Sequence, residues 1–329
     1  MGDGSGWALI GRWVALRRAA RVFNEAQRLR RVGDLAGALA GYRTADAMGS
    51  PLAAYNLGCL LDEGGDLSGA IEAFSRAADR GFAGGAFNLG VRLNERGDTE
   101  AAEAAWRRAG ELGHVEAAVR LARMLYDRGD YGEAEQVAAR ADEHRNADAL
   151  RIRGMSLARQ GKLSLAEQMF RRSDGAGDRD GSFLLGAVLD ERGARSEAEE
   201  AYRRADQAGD DTAPVNLGVL RYMLGDSDGA RQAWQRAAAR GNGLGFINLA
   251  VLSVVEGNDE EAAAARDRAQ TALEHVLEGD DEAVTDCLSA TYPGELRLIR
   301  ALTVSPDDPA AEDLAVLRLS DDGSITDDD

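Results

Sequence analysis

Few residues in this chain are of types that perform chemistry, and those few stand apart. The three histidines, His114, His144 and His275, share no short spacing with each other or with the two cysteines, Cys59 and Cys287. There is no HExxH, no CxxC, and no histidine beside Ser and Asp in a motif of nucleophilic catalysis. Gly161-Lys162 is followed by Leu163, so it lacks the hydroxyl that a Walker loop places on magnesium. Gly241-Asn-Gly-Leu-Gly245 mimics a phosphate loop, but it falls in register with glycine-bearing joints elsewhere in the chain and reads as architecture. Carboxylates are plentiful, and no pair stands out. The expectation is a protein that is not an enzyme, with no cofactor, no metal and no small-molecule substrate.

Arginine is the one functional side chain with a distinctive distribution. Lysine occurs once, as Lys162. Arg120 and Arg123, then Arg151, Arg153 and Arg159, interrupt an otherwise Asn- and Leu-rich pattern in the middle of the chain. Guanidinium forks suit carboxylates or phosphates. One reading is a basic central patch that receives an acidic or C-terminal peptide segment. The other is a solvated face paired with nearby acids such as Glu116, Asp127 and Asp148.

What positions these side chains is a repeat. Gly33, Gly65, Gly97, Gly129, Gly161, Gly193, Gly225 and Gly257 follow one another every 32 residues. Five residues after each comes Ala38, Ala70, Ala102, Ala134, Ala166, Ala198, Ala230 or Ala262. Nine after come Tyr42, Phe74, Trp106, Phe170, Tyr202 and Trp234, with Ala138 and Arg266 as exceptions. The cleanest copy, Ala53–Phe82, reads as two short amphipathic helices. Gly65 ends the first in the left-handed conformation and Asp66 caps the second. Such a hairpin cannot bury its apolar face alone, and a fixed period in this range means a solenoid. Small residues seven before each turn glycine (Ala26, Gly58, Gly90, Ala122, Gly154, Gly186, Gly218, Ala250) are expected to face the alanine five after it, with the aromatic filling space against a neighbouring repeat.

The chain divides by composition. Residues 1–18 form an N-terminal segment and capping helix, 19–274 carry the eight repeats, 275–304 form C-terminal capping helices, and 305–329 are an acidic, mobile tail. The repeats are placed at 19–50, 51–82, 83–114, 115–146, 147–178, 179–210, 211–242 and 243–274. Around Trp13, Leu16 and Phe23, with Arg12, Arg17, Arg18 and Arg21 largely elsewhere, the first helix reads either as a solenoid cap or as a basic amphipathic helix that touches a membrane or partner. Capping boxes are expected at Asp130 with Glu133 and at Asn258 with Glu261. A formal net charge of −18 argues against nonspecific affinity for nucleic acid or an anionic membrane. No run of 18 apolar residues offers a membrane span. Cys59 and Cys287 read as free thiols in a reducing, cytoplasmic setting. Abundant Ala and Gly with a single lysine point to a GC-rich, bacterial coding sequence.

At the core of each unit, Tyr55-Asn56-Leu57-Gly58, Leu61, Gly65-Asp66, Ala70, Phe74 and Ala77 resemble the tetratricopeptide repeat signature. The period is 32 residues rather than the family's 34, and glycines replace the family's proline at the joints: Gly49, Gly81, Gly113, Gly177, Gly209 and Gly241. Those joints look more like Sel-like repeats. The resemblance implies an all-α, right-handed α-solenoid of about eight 32-residue helix-turn-helix repeats. It implies a non-enzymatic scaffold that takes a protein or peptide partner along a concave face lined by first helices. Carried over residue by residue, the groove-facing candidates are Asn24, Asn56, Asn88, Arg120, Ile152, Leu184, Asn216 and Asn248, with Arg123, Arg151 and Arg159 on the same side. An asparagine there either meets a partner's backbone or bonds to a neighbouring helix. The competing reading of function is a regulatory subunit that controls an enzyme or transcription factor through its terminal segments.

Overall fold

The computed structural model describes residues 4–142 and 146–256. Expectations resting on Gly257, Asn258, Glu261, Cys287, His144, His275 and the C-terminal segments lie outside the described residues. Among the described residues there are fifteen α-helices and no strand. They run in hairpin order: α1 Gly4–Arg31 and α2 Leu35–Ala47, α3 Pro51–Glu63 and α4 Leu67–Asp79, α5 Ala83–Glu95 and α6 Thr99–Glu111, α7 Val115–Arg128 and α8 Tyr131–Asp142. Then come α9 Ala147–Arg159 and α10 Leu163–Gly175, α11 Arg179–Glu191 and α12 Arg195–Gln207, α13 Ala213–Met223 and α14 Ser227–Ala239, and α15 Gly243–Val255. Helix contacts divide the chain into two units, residues 1–169 and 170–329. Within each unit the main contacts join a helix to the next or the next but one, as in an α-solenoid.

The punctuation explains the helix lengths. Each described turn glycine, from Gly33 to Gly225, has φ between 75° and 92°, a conformation that a side chain resists. The joint glycines Gly49, Gly81, Gly113, Gly177, Gly209 and Gly241 do the same at the ends of second helices. After the turns, the carboxylates of Asp34, Asp66, Asp98 and Asp226 accept from the backbone N–H of Gly37, Gly69, Ala101 and Gly229. Pro51 lies in the first turn of α3, where its missing N–H costs nothing. The capping box expected at Asp130 does not form. Glu133 turns its carboxylate to Arg107 (2.6 Å) and Asp130 pairs with Arg128, because a guanidinium is the stronger partner for each.

The hairpin interior differs from the expected arrangement. In four repeats the glycine seven before the turn has the aromatic ring of its own repeat as its nearest neighbour. A methyl group at Gly58 would lie 2.6 Å from the Phe74 ring, and one at Gly90 would lie 2.4 Å from Trp106. Gly186 stands in the same way against Tyr202, and Gly218 against Trp234. The aromatic therefore fills its own hairpin and also packs against the following repeat, where Trp106 joins Ala117, Val119 and Leu121 in one cluster. The indole N–H groups of Trp106 and Trp234 donate to the carbonyls of Phe87 and Val215, on the first helix of the same repeat, at 3.2 and 3.1 Å. Each buried ring contributes about 1.5–3 kcal/mol through the area it removes from water.

Successive repeats are stitched by arginine. Arg76 reaches back to Asp46 (2.9 Å), Arg204 to Asp174 (2.9 Å) and Arg236 to Asp206 (2.8 Å), each across 30 residues. Arg108 makes the equivalent bond to the carbonyl of Ala78, where the register places no acid. Asp46 and Asp206 are buried, so these charges stay in the fold only because they are paired.

Candidate functional site

In the first unit, α5, α7 and α9 present one face to an open groove of about 490 Å³. Its floor is Trp106, Val119, Met124 and Ile152. Its rim carries Arg120 and Arg123 beside Glu116, Asp127 and Asp148. Helical spacing on α7 accounts for this: Glu116, Arg120, Arg123 and Asp127 fall three or four apart, so they share one face. Ile152 on α9 occupies the register position of Arg120 one repeat later.

The arginines are largely occupied. Arg120 Nε lies 3.3 Å from Glu116 Oε1, and its guanidinium carbon sits 5.5 Å above the ring of Phe87. Phe87 in turn stacks on His114, with centroids 4.4 Å apart. Arg151 is paired with Asp148 on its own helix. Arg153 is turned to Glu135 (3.1 Å), away from the groove. Arg159 donates to the Tyr126 hydroxyl (3.3 Å) and lies 5.9 Å from the centre of the Tyr131 ring. Arg123 is half-buried, with no ion pair among the described residues. Two arginines against three carboxylates make the lining charge-balanced to slightly acidic. The alternative pairing with Glu116 and Asp148 is thus what the geometry contains.

The asparagine column is engaged only in part, and the Asn248 Oδ1 is buried with no hydrogen-bond partner among the described residues. Asn24 is exposed on α1. Asn56 donates its amide to the carbonyl of Leu52 (2.8 Å), one turn back on its own helix. Asn88 lies near the Tyr55 hydroxyl of the preceding repeat and partly opposes the effect of burial on it. Asn216 donates to the Tyr202 hydroxyl at 3.4 Å. Asn248 is only 2% exposed, because α15 sets it between Ile247 and Leu249, within an apolar cluster built on Trp234. Leu184 is half-buried on α11. The structure brings Arg120, Arg123 and Ile152 to one groove, whereas Asn216 and Asn248 belong to the other unit.

Titratable groups near the first-helix face are shifted mainly by burial. Burial raises the Tyr55 hydroxyl and the Cys59 thiol, which lie against each other on α3. Burial lowers His114, partly opposed by Glu116. His114 has a structural task that the sequence did not signal. It is the N-cap of α7, its Nδ1 accepting the backbone N–H of Ala117 at 3.2 Å. The arginine stitches were also missed, although Arg at one register position and Asp two residues later in the preceding unit recur at the same period.

A tetratricopeptide repeat family model matches residues 23–86 and 87–146. Over those residues the chain matches tetratricopeptide repeats. The joints between its helix hairpins carry left-handed glycines. Among solved structures, the C-terminal part of a tetratricopeptide-repeat-containing protein from Cytophaga hutchinsonii is similar over 66% of this chain and 94% of that one. It has 14% identity and a TM-score of 0.50, a likeness of fold. The pilF protein of Pseudomonas aeruginosa is similar over 67% and 95%, at 21% identity and a TM-score of 0.49. The protective antigen c5321 of uropathogenic Escherichia coli strains, which displays an SLR fold, is similar over 90% and 83%, at 20% identity and a TM-score of 0.47. None of the curated proteins compared matches the chain. Among the described residues no helix is long and apolar enough to cross a membrane.

Proposed function

We propose that this protein is a binding scaffold that holds an extended peptide or helix of a partner protein against its first helices, and that it acts by binding rather than turnover. The observation that supports this is the groove over α7: an apolar floor of Trp106, Val119, Met124 and Ile152 inside a rim of both charges. An apolar floor supplies affinity through burial, and a mixed-charge rim orients a partner segment and rejects poorly matched ones. The partner segment that fits has an apolar anchor side chain flanked by charges of both signs. Asn24, Asn56 and Asn88 extend the same helix face and retain acceptor oxygens for a partner's backbone.

The test is a photocrosslinking residue placed at Arg123 or Met124, with a control on the far side at Glu100. Crosslinks to one defined partner segment from the groove positions, abolished by Met124→Glu while the melting temperature is kept, support the reading. Equal crosslinking from Glu100, or a partner captured as well by Met124→Glu, overturns it.

A further inference from the structure

We propose that His114 is a pH-sensitive cap whose protonation releases the start of α7 and draws Glu116 away from Arg120 at the groove rim. Helix starts at the joints between repeats are capped by Ser50, His114 and Asn146 through side-chain acceptors. Of these three, only an imidazole changes charge near neutral pH. To accept the Ala117 N–H at 3.2 Å, Nδ1 must be unprotonated. A proton there turns the acceptor into a donor facing a donor. Ala117 is fully buried, so water cannot take over the lost bond.

The groups around the ring define the balance. From α7, Glu116 faces it and favours the charged form, while Arg120 already lies over the same Phe87 ring. From α5 comes the neutral ring of Phe87. At the end of α6, the Ala109 carbonyl accepts the His114 backbone N–H, and Arg108 is turned away to the carbonyls of Ala78 and Asp79. An imidazolium gains a contact with Phe87 and competes for Glu116, the carboxylate that now pins Arg120 at 3.3 Å. Burial outweighs that gain and lowers the ring from its ordinary value. The change therefore comes on the acid side of an ordinary histidine's titration. Its effect on partner binding rests on the groove being the partner site. The cap itself does not.

The experiment is an NMR titration of the full chain between about pH 7.5 and about pH 5.5, following the His114 imidazole and the hydrogen-exchange protection factor of the Ala117 amide. As the ring titrates, that protection factor falls roughly fivefold, the loss expected for a missing N-cap. In His114→Asn, which keeps an acceptor and cannot titrate in this range, it stays level. Protection that is unchanged while the ring titrates, or that falls equally in His114→Asn, overturns the proposal. If His114→Asn does not fold, coincidence of the two wild-type midpoints decides alone. These readouts need no partner, so the switch and the groove reading can fail separately.

Discussion

Asp206 shows how much one side chain can hold. Its Oδ2 accepts from Arg236 at 2.8 Å and its Oδ1 lies 2.7 Å from Arg240, both from the following repeat, while it is itself 4% exposed. Removing its carboxylate leaves two half-covered guanidiniums with only the carbonyls of Gln232, Asp210 and residue 206 as acceptors, so Asp206→Ala should cost about 1–3 kcal/mol in urea unfolding. A change within error would show that the stitch is ornamental. Tyr202 gives a prediction with the opposite trigger. Burial pushes its hydroxyl up to about 12, opposed in part by the hydrogen bond from Asn216. A phenol raised in the folded state stabilises fully below the unfolded value of about 10, and that stability is lost as pH rises toward the folded value. Unfolding free energy should therefore decline between about pH 10 and about pH 12, and the decline should be shallower in Tyr202→Phe. Equal slopes for the two proteins would place the loss elsewhere.

At the scale of the helix hairpin, the room for a ring comes from a missing side chain opposite it. Gly58, Gly90, Gly186 and Gly218 stand against Phe74, Trp106, Tyr202 and Trp234. Where the ring is absent, at Ala138, the facing residue is Ala122. Repeat one keeps Tyr42 opposite Ala26 and instead places Gly41 where a methyl group would lie 2.7 Å from the Ala26 Cβ. The period, the turn glycines and the aspartate caps were legible in the sequence, because each is set by one residue acting on its own backbone. The pairing of glycine with ring was not, because it depends on which faces meet across the hairpin. For the arginines the sequence left a basic patch and a face paired with nearby acids both open, since a one-dimensional pattern does not show that Glu116 and Asp148 fold onto Arg120 and Arg151. The pairing predicts that Gly90→Ala destabilises by about 1–3 kcal/mol through overpacking against Trp106. With Trp106→Leu in place, the same substitution should cost far less, and a double-mutant cycle reads the coupling directly. No coupling between the two sites would mean that the methyl group is absorbed without disturbing the ring.

For the molecule as a whole, what matters is that its interactions are short in sequence. Within each unit the helices touch mainly their neighbours, and the arginine stitches span 30 or 34 residues, one repeat. A globular domain with one shared core loses stability everywhere when that core is damaged. A chain of neighbour interfaces does not, because its stability is a sum of repeat and interface terms. Phe74 is buried in the second repeat against Gly58, with Tyr55 at 6.0 Å between ring centres. Phe74→Ala removes that ring and should cost about 3–5 kcal/mol locally. Hydrogen exchange read by mass spectrometry should then show protection lost over α2 to α5 and kept over α13 to α15. A uniform fall across all helices would mean that the repeats unfold as one cooperative block. Locality also bears on the proposed groove, because the start of α7 can loosen without the remaining repeats unfolding. The same measurement on His114→Ala, which removes the cap's acceptor, and on Phe74→Ala separates a device confined to one helix start from one that propagates along the chain.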